Sequence, residues 1–326
     1  MTYRPLGRSG LMVSTVGLGT NAFGTRIDAR RAHAVVDAAL DAGVTLFDTS
    51  DTYGLGASEE LLGRSLGSRR SDVVLATKFG MDMQGANGRD WGARASRRYV
   101  RTAVEASLRR LDTDYIDLYQ LHQPDTVTPV QETLEALTEL VDEGKVRYLG
   151  CSNFAGWEVV DAHWTAATSH LQSFQSAQNE YSLYNRAAEE ELVPALRRTR
   201  MSLIAYFPLA YGLLTGKYRR GQQAPEGSRL SADTQAHRLA NADWDRIEAL
   251  HAFADERGVR ILDVAIGGLA AQPAVASVIA GATGPDQVRA NVGAGLWTPT
   301  ADDLAALAAI NTERGTGMTH RAYTRG

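Results

Sequence analysis

Residues 44–66 read VTLFDTSDTYGLGASEELLGRSL, and this stretch holds one full structural unit. Positions 44–48 form a short apolar run that ends on a carboxylate, which predicts a buried strand. A polar loop follows. Positions 57–66 then bring Leu61, Leu62 and Leu66 onto one helical face, and Gly67 suits a C-terminal cap. The same order of strand, loop and helix recurs along the chain. Strands are predicted at 15–19, 44–48, 73–78, 116–121, 146–151, 174–178, 203–206 and 275–279. Helices are predicted near 28–42, 57–66, 96–111, 129–143, 155–168, 187–199, 261–271 and 285–293.

Strict alternation argues for a parallel sheet with helical crossovers, and eight strands is the number that closes. The predicted fold class is α/β: a (β/α)8 TIM barrel, with residues 1–326 as one domain. An open doubly wound sheet shares the same alternation. Positions 3–6 and 11–14 flank Gly7 and Gly10 and predict an N-terminal hairpin placed to cover one barrel end. An extra helix is expected at 301–313, followed by a polar, aperiodic tail at 314–326. Two loops are long. One, at 79–95, carries four glycines and Trp91; the other, at 207–242, is rich in Gly, Arg and Ser. Both follow strands, and loops after strands form the catalytic face of a barrel.

The chain has 326 residues, 44% hydrophobic and 22% charged, with a formal net charge of −4. That composition supports a full-size core and gives no basic excess to hold nucleic acid. Arg94, Arg97, Arg98 and Arg101 read as a solvated helix face. The single cysteine, Cys151, excludes an internal disulfide and a multi-cysteine metal site. The opening MTYRPLGRSGLMVS lacks the apolar segment of a secretory signal, and no run is long enough to cross a bilayer. A cytoplasmic protein without a membrane partner is expected, and the pattern leaves oligomeric state open.

Three motifs mislead. Gly17, Gly19 and Ala22 match a relaxed dinucleotide fingerprint, but the helix signal starts only near Asp28, after the motif has ended. Gly63, Ser65 and Gly67 match a nucleophile elbow, yet they end a helix and follow no strand. Gly212 to Lys217 resembles a phosphate loop that is one residue short, with Tyr218 where Ser or Thr belongs.

Four polar residues stand at or just after successive strand ends: Asp48, Tyr53, Lys78 and His122. If those strands are parallel neighbours, the four side chains converge at one barrel mouth. A phenol with a pKa of about 10 is a poor proton donor at neutral pH, and a nearby ammonium lowers that pKa. A carboxylate compensates the buried ammonium, and an imidazole can polarise a carbonyl oxygen. The set fits acid–base chemistry at a carbonyl without a metal. A redox cofactor must supply the hydride, because no side chain can. Taken singly, each residue has a structural reading: an Asp–Lys pair holds strands, a loop Tyr packs, and a His fills a core.

At these residues the chain resembles the aldo-keto reductase family. The matching segments are GLGT (17–20), LFDTSDTYG (46–54), ATKF (76–79), DLYQLH (117–122), GCSNF (150–154), QNEYS (178–182), YFPLA (206–210), GKY (216–218) and IAGA (279–282). The likeness extends to the bacterial branch that includes the potassium-channel beta subunits. It implies the eight-fold barrel and an extended NADP(H) bound without a Rossmann domain. It implies Tyr53 as general acid tuned by Lys78 and Asp48, with His122 orienting the substrate oxygen. Ser152, Asn153 and Gln178 would hold the carboxamide, and Tyr206 would stack on the nicotinamide. Gly19, Thr20 and Asn21 would line the ribose side. Phe207, Pro208, Leu209, Ala210, Gly212, Lys217 and Arg229 fall in the loop that would cross the pyrophosphate. Gly281, Thr283, Gln287 and Asn291 would form the adenosine end.

Some positions depart from the family. Gly281 and Gln287 stand where many members clamp the 2′-phosphate with Lys and Arg, which leaves Lys217 and Arg229 as the expected charges. Ala290 stands where channel-type members often carry Glu. Phe207 replaces a common Ser and would remove one polar contact. Cys151 reads as a small apolar strand residue. Phe23, Phe79 and Trp91, with Tyr53 and His122, are expected to line the substrate pocket for a small carbonyl or alcohol. Two rivals make different demands. A cofactor-binding regulatory subunit would turn over very slowly. An aldolase-type barrel would use Lys78 as a Schiff-base nucleophile, which pairing with Asp48 opposes.

Overall fold

The computed structural model describes residues 1–312, and the predicted tail at 314–326 lies outside the described residues. The chain opens with an antiparallel hairpin, β1 (Tyr3–Pro5) and β2 (Met12–Ser14). Eight parallel strands follow: β3 (Val16–Gly19), β4 (Leu46–Asp48), β5 (Val74–Phe79), β6 (Ile116–Leu121), β7 (Val146–Ser152), β8 (Phe174–Glu180), β9 (Ser202–Tyr206) and β10 (Val275–Gly281). They pair in chain order, and β10 closes the barrel between β9 and β3. The doubly wound alternative is thereby excluded, and each predicted strand lies within two residues of an observed one.

Around the barrel run α1 (Ala29–Asp41), α2 (Ala57–Leu66), α3 (Arg97–Leu111), α4 (Val130–Asp142), α5 (Gly156–Thr168) and α6 (Leu192–Thr199). Local chemistry sets their ends. Asp28 caps α1 by accepting the Arg31 N–H at 2.9 Å, and Ser96 caps α3. The false elbow is the last turn of α2, with Gly67 at φ 51° just beyond it. After β9 come short turns, then α7 (Ala236–Ala240), α8 (Trp244–Glu256) and α9 (Ile261–Asp263), which runs on through a π-turn at Val264–Gly268. α10 (Pro285–Ala294) and α11 (Ala301–Thr312) complete the described chain.

The helix α8 is absent from the sequence reading. Its signal was present: Asp243 accepts the Arg246 N–H, and Ile247, Leu250, Phe253 and Ala254 form a buried stripe. It packs beside α11, so the one extra helix expected is in fact half of a pair.

Period-two alternation divides the strands. Phe47, Leu75, Tyr119 and Leu121 face outward into the main core beneath the helices. Leu46, Val74, Ala76, Leu118 and Ile204 form a separate apolar cluster with Leu6 and Val13 of the hairpin. The hairpin thus plugs the end of the barrel where the strands begin. Gly7 makes this approach possible. It sits at φ 59°, its N–H donates to Ser202 Oγ at 2.8 Å, and a Cβ there would lie 2.2 Å from the Gln175 carbonyl oxygen.

Candidate active site

The same alternation that stacks apolar side chains low in the barrel raises polar ones at its mouth. One step up from Leu46 on β4 is Asp48; above Ala76 on β5 is Lys78; above Leu118 on β6 is Gln120. β8 contributes Gln178. Lys78 is fully buried, and its ammonium donates to Asp48 Oδ2 at 2.7 Å, to the Thr49 carbonyl at 2.8 Å and to Tyr53 Oη at 3.3 Å. Gln178 and Gln120 donate to the other carboxylate oxygen of Asp48, at 2.7 and 3.3 Å. All three donors of the ammonium and both oxygens of the carboxylate are therefore occupied, which is what allows this pair to be buried. The rings of Tyr53 and His122 meet edge to face at 6.2 Å. The structure brings together the four residues that the sequence singled out.

Their electrostatics differ in part from the expectation. Burial pushes the Tyr53 phenol up, Lys78 pulls it down, and Asp48 and Asp51 push it up again, so the net direction is upward. The predicted acidification does not win in this state, and the phenol stays protonated at neutral pH. Burial pulls the Lys78 ammonium down, but Asp48 and Tyr53 more than reverse that and keep it charged. Burial, with Lys78 nearby, holds His122 well below the ordinary imidazole range, so its ring is neutral. Its Nδ1 lies 3.1 Å from Ser50 Oγ.

A cleft of about 1230 Å³ opens above this group and extends along the mouth towards α10. Asp48, Tyr53, His122, Ser152, Asn153, Gln178 and Tyr206 line one end of it. Tyr206 Oη donates to Asn153 Oδ1 at 2.7 Å, while Asn153 Nδ2 donates to the His122 carbonyl at 2.9 Å. That pins the Tyr206 ring and spends the Asn153 amide on protein groups. Phe207, Pro208, Leu209, Gly212, Lys217 and Arg229 line it further along, and Gly19 and Asn21 line it beside Gly281. Gly281, Thr283, Gln287 and Asn291 line the far end. Gln287 Oε1 accepts from the Thr283 N–H at 2.7 Å, so the loop before α10 is tied and the Gln287 amide nitrogen is left for the cleft.

Several expected contacts fall elsewhere. Thr20 is fully buried, and its hydroxyl donates to the Asp48 carbonyl at 3.0 Å beside Ser58. Ala210 is buried beneath the loop and does not reach the cleft. Phe23 is a core residue, because the turn at 22–27 folds it inward. Phe79 follows the inward-facing Lys78 on the same strand, so it faces out and stacks on Tyr119 at 4.6 Å. Trp91 is 64% exposed and lies under Arg98 at 4.3 Å. None of these three aromatics lines the cleft; Met81 and Tyr211 do.

The walls hold more positive charge than the sequence reading assigned. Arg26 and Arg31, just before and within the first turn of α1, line the cleft alongside Lys217 and Arg229. Arg26 donates to Asn21 Oδ1 at 3.4 Å, close to Gly281, where an added Cβ would lie 3.6 Å from the same oxygen. Burial and the nearby Arg26 both pull Arg229 down. Among the described residues no carboxylate pairs with any of the four. Phe207 is not simply a lost polar contact, since Arg229 sits 5.4 Å above its ring and 5.2 Å above that of Tyr211. Arg26 and Arg31 carry no motif. Only their place at the first strand–helix loop could have marked them.

Among the described residues no helix is long and apolar enough to cross a membrane. The model of the Aldo/keto reductase family matches residues 15–312. A probable voltage-gated potassium channel subunit beta from Oryza sativa subsp. japonica is 37% identical over 302 residues, covering 90% of each chain. Two proteins of Bacillus subtilis (strain 168) are also similar. The uncharacterized oxidoreductase YrpG is 37% identical over 297 residues, covering 89% of each chain. The aldo-keto reductase YhdN is 34% identical over 312 residues, covering 93% of this chain and 91% of its own.

Proposed function

This chain belongs to the aldo/keto reductase family, oxidoreductases that reduce carbonyl compounds and generally use nicotinamide cofactors, and we propose that it reduces an aldehyde, ketone or keto-sugar with NADPH, Tyr53 acting as general acid. The observation that carries this reading is the buried triad in which one ammonium touches both the Asp48 carboxylate and the Tyr53 hydroxyl.

The cleft suits a dinucleotide. Its walls carry four cations without acidic partners, and Gly19 and Gly281 leave backbone open where a side chain would stand. A Cβ on Gly19 would already lie 2.8 Å from Ile279 Cγ2. Ser152, Gln178 and the Tyr206 ring would hold the nicotinamide end. Lys217 and Arg229 would meet the pyrophosphate, and Arg26 and Arg31 would meet the 2′-phosphate that Gly281 and Gln287 cannot pair with. When bound, the nicotinamide supplies the hydride that reduces the carbonyl carbon.

The residues do the rest. The Nε2 nitrogen of His122 is the ring nitrogen not engaged by Ser50, and it can donate to the substrate oxygen and orient it beside Tyr53. As negative charge grows on that oxygen, the Tyr53 hydroxyl gives up its proton. Lys78 stabilises the phenolate at the moment it forms, which is where its pull on the phenol matters. Asp48 keeps Lys78 charged and fixed throughout. A Schiff base on Lys78 would require a neutral amine, and the upward shift of that group opposes it.

Tyr53→Phe should lower turnover by about 10²- to 10⁴-fold while NADPH affinity stays within a few-fold. The test is a fluorescence titration with NADPH followed by a panel of carbonyls read by NADPH loss. Unchanged turnover in Tyr53→Phe would refute the assigned acid. The similarity to plant channel subunits keeps a second reading in play, that of a cofactor-binding regulatory subunit. Tight NADPH binding without turnover on any carbonyl would favour it.

A further inference from the structure

Behind the mouth lies a second buried polar group that the chemistry above does not use. Ser50 and Asp51, between Asp48 and Tyr53 in the chain, are both fully buried. Ser50 Oγ lies 3.1 Å from His122 Nδ1, 3.3 Å from Asp51 Oδ1 and 3.0 Å from Thr52 Oγ1, and it accepts the Thr52 N–H at 3.2 Å. The far oxygen of Asp51 accepts from Asn87 Nδ2 at 3.2 Å. Asn87 accepts from Arg110, and Arg110 pairs with the fully buried Glu59 at 2.6 Å.

A neutral imidazole carries one N–H, and the partner of one nitrogen decides which nitrogen holds it. To donate to a carbonyl oxygen, His122 needs its proton on Nε2. Nδ1 must then accept, and Ser50 is the group placed to donate to it. A serine hydroxyl has a single proton. If the Asp51 carboxylate takes that proton, Ser50 can only accept from His122, and the imidazole proton is drawn to Nδ1, away from the substrate.

We propose that Ser50 is a positioning residue that keeps the cleft-facing N–H on His122, with the Asp51 carboxyl behind it deciding which way the Ser50 hydroxyl points. The inference rests on the reading of His122 as the donor to the substrate oxygen. Burial and Glu59 push the Asp51 carboxyl up to about 8 against the pull of Arg110, Ser50 and Thr52. Glu59 comes from α2, Arg110 and Tyr99 from α3, Tyr119 from β6, and Tyr53 lies on the same loop. Neither the Tyr99 nor the Tyr119 hydroxyl donates to Asp51, whose carboxyl oxygens meet Ser50 and Asn87, so neither supports a charge on it. At neutral pH the acid keeps its own proton and leaves that of Ser50 for His122. As pH rises through about 8, the acid ionises and the tautomer reverses.

The test is the ¹⁵N spectrum of histidine-labelled protein at pH 7, with the His122 ring assigned by a His122→Asn variant, alongside steady-state kinetics. Wild type should show protonated Nε2 and unprotonated Nδ1. Ser50→Ala should lose that preference and lower kcat roughly tenfold, with NADPH affinity unchanged, while Ser50→Thr, which keeps a hydroxyl, recovers part of the loss. Carbonyl reduction should decline near pH 8 in wild type, and Asp51→Asn should remove that limb of the profile. A wild-type ring protonated on Nδ1, or a Ser50→Ala variant with an unaltered tautomer, would overturn the inference. The spectrum does not depend on the acid. Turnover retained in Tyr53→Phe with the expected spectrum sinks the acid alone, whereas the wrong tautomer with Tyr53→Phe inactive sinks this inference alone.

Discussion

The two ends of the barrel are built from the same strands by opposite rules. At the closed end, Leu46, Val74, Ala76, Leu118 and Ile204 pack under the hairpin as an apolar plug. One step along β4, β5 and β6, Asp48, Lys78 and Gln120, joined by Gln178 of β8, fill the interior with charge and amide. The lower layer needs only shape and hydrophobicity to be stable. The upper layer is stable only because the ammonium and the carboxylate at its centre are fully partnered, so removing one strands the other. The lower end holds the fold, and the upper end accepts a loss of stability in return for chemistry.

This contrast can be broken from above. Lys78→Met leaves Asp48 buried without its cation and should cost about 3–5 kcal/mol, together with nearly all turnover. The double variant Asp48→Leu/Lys78→Met should regain much of that stability and none of the turnover, as read by denaturant melts and NADPH loss. A double variant less stable than Lys78→Met would show that the pair holds the mouth together by more than mutual neutralisation. From below, Leu118→Ala should cost about 2–5 kcal/mol, with kcat of the folded enzyme nearly unchanged. A large drop in kcat there would mean that the two layers are mechanically coupled.

The next effect depends on pH. Folding raises the Asp51 carboxyl from about 3.9 to about 8, so the native state holds a proton that the unfolded chain has lost. The stability it contributes is fully present below pH 4 and is lost as pH rises through about 8. Relative to Asp51→Asn, wild type should therefore weaken between pH 4 and pH 9 by on the order of a few kcal/mol, followed by thermal melts across that range. The smallest effect lies on the exposed wall. Arg26→Ala and Arg31→Ala should each weaken NADPH binding about fivefold and leave NADH nearly unaffected, by fluorescence titration. Equal loss for both nucleotides would place these arginines on the pyrophosphate instead.

The group of Asp48, Tyr53, Lys78 and His122 was legible because an apolar run that ends on a charge, as at Asp48 and Lys78, has few explanations, and the four residues stand at or just after the ends of three successive strands. The barrel was legible because strand and helix periods alternate without a break. The substrate aromatics were not. Phe79 was misplaced although its neighbour Lys78 already fixed the direction of the alternation, and Phe23 and Trp91 sit in loops, where no period applies. No motif in the sequence marks Arg26 and Arg31, and charged residues in a loop or on a helix face usually meet only solvent. Their place on the cleft wall depends on which loops come together, and closure of β10 onto β3 sets that. The direction of the Tyr53 shift was likewise out of reach, since it depends on how deeply the hydroxyl is buried.

Cys151 lies fully buried on β7, its thiol directed at the Ser176 carbonyl at 3.7 Å and pushed far up by burial. As the only sulfhydryl in the chain, it makes the native molecule silent to alkylating reagents, and a dye-bearing cysteine placed anywhere on the exterior would label without background. Slow modification of the wild type would then serve as a clock for barrel opening, independent of any substrate.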